Sequence, residues 1–193
     1  MAKKLNTGAI VGIVIAVIVV LALLGIWGMY NGLVNAEVNV DQSWGQVQAA
    51  YQRRADLIPN LVATVEAYAG FEKSVIENVT AARSAWMQAG TPQAQVAAAN
   101  QLESAIARLL VTVENYPDLK ASANFLSLQD ELAGTENRVA VERKRYNDAV
   151  SAFNKKTRMF PSNIVASMFG FEKRDFFEAE VGAETAPQVE INI

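Results

Sequence analysis

The chain opens on an apolar run that has no polar face. From Gly8 to Met29, GAIVGIVIAVIVVLALLGIWGM, there is no charged residue. As a helix this run would extend about 33 Å, enough to cross a hydrocarbon core of about 30 Å. A helix that is apolar on every side has no preferred face to lay on a soluble core, so lipid is its natural solvent. Trp27 and Tyr30 fall at its downstream edge, where rings with a polar tip favour the headgroup layer. Lys3 and Lys4 before the run, with Val34-Asn35-Ala36 after it, are also the parts of a secretory signal and its cleavage site. The apolar core of such a signal is only about 7 to 15 residues long, so we expect an uncleaved single-pass anchor.

Beyond the span the pattern changes to one apolar stripe per helix. Trp44, Val47, Tyr51, Ala55, Ile58, Val62 and Val65 follow one another at intervals of three and four, the spacing of a single helical face. Pro59 interrupts this series without ending it, so the helix is expected to pass through Pro59 and reverse near Ala69-Gly70. A second stripe, Phe71, Val75, Val79, Ala82 and Trp86, stops at Gly90-Thr91-Pro92. The third helix opens at Pro92, a residue suited to a first helical turn, and buries Val96, Ala99, Leu102, Ile106, Leu110 and Val113. It stops at Asn115-Tyr116-Pro117-Asp118. The fourth carries Phe125, Leu128, Leu132, Thr135, Val139, Glu142, Tyr146, Val150 and Phe153 on one face and is ended by Pro161.

The expected class is therefore all-α: an N-terminal transmembrane helix followed by an antiparallel up-and-down four-helix bundle with long first and last helices, of roughly 39, 19, 23 and 37 residues. The organisation reads as an N-terminal flank (1–7), a transmembrane helix (8–30), the bundle (31–158), an aromatic membrane-proximal segment (159–180) and a tail (181–193). The tail, VGAETAPQVEINI, is expected to be disordered, with a short strand added to a neighbour as the alternative.

Composition narrows the chemistry. Among 193 residues there is no cysteine and no histidine. That removes disulfide frameworks, zinc fingers, thiol nucleophiles and every acid/base pair that depends on imidazole. Two of the 17 basic residues, Lys3 and Lys4, precede the span, which leaves 15 against 20 acidic ones after it. Such a balance gives no positive surface for phosphate backbones, and no nucleic acid partner is expected. The first basic residue after the span is Arg53, so the positive-inside rule favours a cytoplasmic N-terminus with the folded part outside. No Gly-rich phosphate loop appears, and no two carboxylates stand in a local glycosidase-like arrangement. We assign no catalytic, cofactor-binding or metal residues, expect no cofactor, and expect no enzyme.

Two groups of residues stand out. In an up-and-down bundle the fourth helix returns to the level at which the first left the bilayer. This brings Phe160, Phe169, Phe171, Phe176 and Phe177 to the lipid surface, preceded by Arg143, Lys144, Arg145, Lys155, Lys156 and Arg158. Together with Trp27 and Tyr30 they form the expected membrane interface; the alternative is that the phenylalanines cap the open end of the bundle. The second group centres on Arg54, a charge on the apolar face that needs a partner. Counting along the helices sets Arg54 about 34 Å and Glu136 about 33 Å above the same base. They are expected to meet, with Glu142 within reach, while Trp44 and Tyr146 share a lower layer. We read Arg54, Glu136 and Glu142 as a structural polar cluster that sets helix register. A polar pocket for an ion is the competing reading, and Glu136 and Glu142, about 10 Å apart on one helix, are too far from each other to hold one alone.

The sequence resembles the LemA family of bacterial membrane proteins. The resemblance is carried by Tyr30-Asn31-Gly32-Leu33-Val34, Trp44, Arg53-Arg54-Ala55-Asp56-Leu57-Ile58-Pro59-Asn60-Leu61-Val62, Glu136-Asn137-Arg138 and Arg143-Lys144-Arg145-Tyr146-Asn147. Phe160-Pro161-Ser162-Asn163 and Phe176-Phe177 complete it. It covers nearly the whole chain. It implies a single-pass membrane protein with a four-helix bundle, from a family associated with membrane remodelling, with magnetosome compartments and with membrane peptidases, and it carries over no catalytic residues. Two functions follow as expectations: a scaffold whose copies associate on the cytoplasmic membrane, or an adaptor that holds a membrane-associated protein such as a peptidase. An Ala-rich surface containing Ala97, Ala98 and Ala99 would let helices approach closely, which favours the homo-oligomer. An enzyme or a ligand-binding bundle is the remote alternative.

Overall fold

The computed structural model describes residues 7–177 apart from residue 69, and every regular element among the described residues is a helix. These are α1 (Thr7–Glu66), α2 (Lys73–Gln88), α3 (Pro92–Val113), α4 (Pro117–Lys120), α5 (Ala123–Arg158) and α6 (Ser162–Phe169). The expectations for the tail, 181–193, lie outside the described residues.

The 60 residues of α1 run through Pro59. Proline lacks the N–H that would bond the carbonyl four residues back, which here belongs to Ala55. Arg83 of α2 donates its Nε to that carbonyl at 2.8 Å, and Pro59 itself faces solvent. The helix therefore crosses the proline with its freed acceptor satisfied. α1 ends at Glu66, and the reversal is centred on Gly70, whose φ of +87° is a conformation that glycine adopts without a Cβ penalty. The Tyr116 hydroxyl donates to the Gly70 carbonyl at 2.7 Å and holds the turn. At the start of α3 the Thr91 hydroxyl accepts the Ala94 N–H at 3.2 Å, with Pro92 in the first turn. The short helices α4 and α6, of four and eight residues, are absent from the periodic reading because so few residues do not establish a period.

The described residues form two compact units, one of those up to Trp44 with Tyr146–Asp175, the other of those in Gly45–Arg145 with Phe176 and Phe177. α1 and α5 contribute to both. In the second unit Tyr51, Ala55, Ile58 and Leu61 of α1, Val75 and Val79 of α2, Leu102, Ile106 and Leu109 of α3, and Phe125, Leu132 and Val139 of α5 are buried. Each large apolar side chain of this set removed from water contributes about 1.5–3 kcal/mol. Ala98 and Ala99 belong to this core, so the small-residue surface expected there does not exist. Only Ala97 of the three is exposed, because two adjacent residues both fall within the wide apolar face of α3.

In the first unit Leu33, Val165 and Ala166 form a small core, flanked by Met29, Tyr30 and Phe171. Val150 and Phe153 of α5 are also buried in this unit. Gly170, at φ +74°, closes α6, and the Phe171 N–H returns to the Ala166 carbonyl at 2.9 Å.

Candidate functional site

The first candidate site lies at the end of the apolar run of α1. From Ile10 to Leu24 the large side chains of that run are exposed on all sides, and the helix is long and apolar enough to cross a membrane. Apolar surface of this extent is stable only in lipid, which puts the chain at a membrane. Just past the run, Tyr30 meets Phe169 at 4.8 Å and Phe171 at 5.8 Å between ring centroids. Phe171 in turn meets Phe153 edge-on at 6.5 Å. The Lys156 ammonium donates to the carbonyl of Gly32 at 3.1 Å, a position where no side chain covers the helix backbone.

Further along α1 the contacts become polar. Arg174 pairs with Glu37 at 2.9 Å and Asp41 at 3.6 Å, and its backbone N–H and carbonyl both bond the Asn154 side chain. The Trp44 and Tyr146 rings lie 5.2 Å apart. The Tyr146 hydroxyl donates to the Asp175 carbonyl at 3.0 Å. Burial holds that hydroxyl above its ordinary pKa, against the pull of Arg174.

The aromatic residues singled out for the membrane do not share one environment. Trp27, Phe160 and Phe169 are exposed, Phe160 most of all at 79%, and Tyr30 and Phe171 are half-buried. Phe176 is exposed in the other unit. Phe177 is only 4% exposed: it stacks 6.2 Å from the Tyr51 ring and receives the Arg143 guanidinium 4.2 Å from its centroid, so it has no face left for lipid.

The second candidate site is a set of arginines inside the other unit. Arg54, 4% exposed, donates Nη1 to the Leu132 carbonyl at 3.1 Å, and its Nη2 lies 3.8 Å from the Glu136 carboxylate, which is largely in water. Glu142, 1% exposed, takes Arg138 at 3.0 Å and Arg145 at 2.9 Å on the same oxygen. Glu142 is thus paired within its own helix, because residues three and four apart share a face.

Arg143 carries the densest network, which sequence reading missed by placing it in the basic group ahead of the aromatic segment. Its Nη2 donates to the Tyr51 hydroxyl, to Glu103 at 2.9 Å and to Asn100 at 3.2 Å. Tyr51 donates to the same Glu103 carboxylate at 2.7 Å. Burial, and then the negative charge of Glu103, push the Tyr51 hydroxyl far above its ordinary value. It stays a neutral donor. The signal available in the sequence was that Tyr51 shares the buried face of Arg54, three residues away, so a phenolic hydroxyl needed a partner there as well.

Each of these carboxylates faces arginine, and among the described residues no three metal-ligating side chains gather. Each of these charges stands within an ion pair. The LemA family profile matches residues 43–191. Magnetosome protein MamQ 2 of Paramagnetospirillum magneticum is 24% identical over 211 aligned positions, covering 95% of this chain and 78% of its own length. Protein LemA of Metamycoplasma hominis is 26% identical over 153 positions, covering 79% and 70%. MamQ of Magnetospirillum gryphiswaldense is 21% identical over 189, covering 83% and 70%. With more than half of its length matched by the profile, the chain belongs to the LemA family.

Proposed function

We propose that this chain is a non-enzymatic, membrane-anchored helical scaffold whose copies associate side by side at the bacterial cytoplasmic membrane, where they organise or remodel the bilayer. In this reading the helices after the span form an up-and-down four-helix bundle, with the N-terminus in the cytoplasm and the bundle outside. The observation that carries it is the absence of a break after the apolar run. α1 continues from the run into Leu33, Glu37 and Trp44, and these residues are gripped by α5, α6 and Arg174. A continuous, packed helix transmits orientation to the bilayer, whereas a Gly/Ser-rich flexible linker would not. Relatives that bear the name magnetosome protein favour a part in building a cellular structure over a metabolic reaction.

A second reading, an adaptor for a membrane-associated protein such as a peptidase, is favoured by an open hollow of about 310 Å³ lined by Gln48, Ala49, Gln52, Trp86, Met87 and Gln95. Its mix of amides, an aromatic wall and an exposed methionine suits a peptide. Light scattering on full-length protein in nanodiscs or detergent separates the two. A large uniform assembly supports the scaffold, and a monomer that crosslinks to one defined protein overturns it in favour of the adaptor. One-sided labelling of Gln88→Cys fixes the side of the membrane.

A further inference from the structure

We propose that the end of α5 and helix α6 form a second, non-spanning foot that dips into the headgroup layer and binds anionic lipid. Its level is set by the contacts with α1. Val165 and Ala166 sit on Leu33, and Phe169 sits on Tyr30, so α6 packs within about one helical turn of the end of the apolar run. A helix held there lies beside the boundary between hydrocarbon and water.

The large side chains that α6 turns outward are apolar, with Asn163 and Ser167 exposed beside them. Val165 and Ala166 face α1, while Met159, Phe160, Ile164, Met168 and Phe169 are all at least half exposed. Ile164 and Met168, four residues apart, share one face. Scattered exposed side chains are common, but five large apolar ones within eleven residues are a density that marks an interaction surface.

The charge pattern selects the partner. Between Asp148 and Glu172 the chain has no acidic residue and three basic ones, Lys155, Lys156 and Arg158, in a protein whose net charge is −3. Lys156 reaches the Gly32 carbonyl; Lys155 and Arg158 are exposed. Apolar side chains at the acyl boundary with cations one turn away form an interfacial anchor for anionic headgroups. A second copy of this chain would bring like charges together on the same patch. The foot consists of residues 155–171, without Phe176 and Phe177, and does not depend on the oligomeric state.

Because the chain has no cysteine, single labels are unambiguous. Full-length Ile164→Cys and Met168→Cys proteins carry a spin label in vesicles of phosphatidylcholine, with or without phosphatidylglycerol, and Gln88→Cys serves as the aqueous reference. Collision with oxygen and with a nickel chelate reports immersion. The expected result is an oxygen-to-nickel ratio severalfold above the reference at both positions, rising with phosphatidylglycerol. The combined Lys155→Gln, Arg158→Gln exchange, which leaves the core untouched, should cut the anionic-lipid response by about fivefold per charge removed. Labels at Ile164→Cys and Met168→Cys as wet as the reference in both vesicles overturn the proposal. So does efficient disulfide formation between two Met168→Cys chains, which would make a second copy the occupant.

Discussion

In the unit that holds Gly45–Arg145, charged side chains point inward: Arg54, Glu142 and most of Arg143 are out of water, and each has to find its opposite charge or a carbonyl there. In the unit that holds Tyr146–Asp175 the arrangement is reversed. Its ion pairs, Arg174 with Glu37 and Asp41, stay at a half-exposed rim, while phenylalanine, methionine and isoleucine face outward. On the proposed reading, in which the second foot lies against lipid, the difference is one of solvent. A unit surrounded by water that buries charges bears a desolvation cost, offset here by pairing that still leaves Arg54 Nε, Arg143 Nε and one Glu142 oxygen without a partner. A unit beside lipid has an apolar partner available for its outward side chains and keeps its charges where water or headgroups reach them.

The sharpest way to break this contrast is at Arg143. Arg143→Met leaves Glu103 without its cation and Tyr51 without a donor, and loses the guanidinium over the Phe177 ring. With this pair 21% and 29% exposed, the loss should be about 2 kcal/mol, in the range of hydrogen bonds to charged groups. Arg54→Met should cost clearly less, because its carboxylate partner Glu136 is 69% exposed and remains hydrated without it. Urea denaturation of the two variants checks the order. If Arg54→Met is the worse of the two, stranded charge is not what governs stability in this unit.

Arg83 sharpens the same point for a backbone acceptor. Arg83→Met should lose about 1.5 kcal/mol, the worth of a charge-assisted hydrogen bond, because the Ala55 carbonyl loses its donor. In a Pro59→Ala background the restored N–H can bond that carbonyl, and the loss should fall to a few tenths of a kcal/mol. Equal losses in both backgrounds would mean that Arg83 stabilises in some other way.

Tyr51 makes the contrast visible in pH. Its hydroxyl binds the proton more tightly folded than unfolded, so its contribution is intact below about pH 10 and is lost as pH rises above that. Stability should fall there by about 1.4 kcal/mol per pH unit for this group. Tyr51→Phe removes that contribution and retains the one from Tyr146, whose hydroxyl is also raised by burial. Denaturation curves of wild type and Tyr51→Phe with the same alkaline slope would show that the hydroxyl is not held in the neutral form.

Long elements were legible in the sequence and short ones were not. Stripes of three and four place α3 at Pro92–Val113 and α5 at Ala123–Arg158, because many turns of a helix repeat the same spacing. Passage through Pro59 was legible from Val62 and Val65, although the donor that permits it, Arg83, lies on another helix and leaves no local trace. Arg54 announces itself as a charge within an apolar stripe. Arg143 does not: it stands in a run of basic residues that reads as a solvated face, and only the packing of α3 against Tyr51 reveals Glu103 and Asn100 around it. Phe177 was misplaced for the same reason, since composition cannot tell an aromatic ring facing lipid from one stacked on a guanidinium.

The smallest expected effect belongs to the rim. Arg174 is 41% exposed and its partners Glu37 and Asp41 are 32% and 64% exposed, so screening by water and salt leaves such pairs worth under about 1 kcal/mol. The backbone of residue 174, held on both sides by Asn154, does not need the side chain. Arg174→Ala should therefore lower stability slightly at low salt and not at all near 1 M salt, where the Debye length is about 3 Å. Arg143→Met should keep more of its cost under the same salt, since its pair with Glu103 is 21% and 29% exposed and its guanidinium also holds Tyr51 and Asn100. A salt-independent loss at Arg174 would place it with the buried arginines and remove the distinction between the two units.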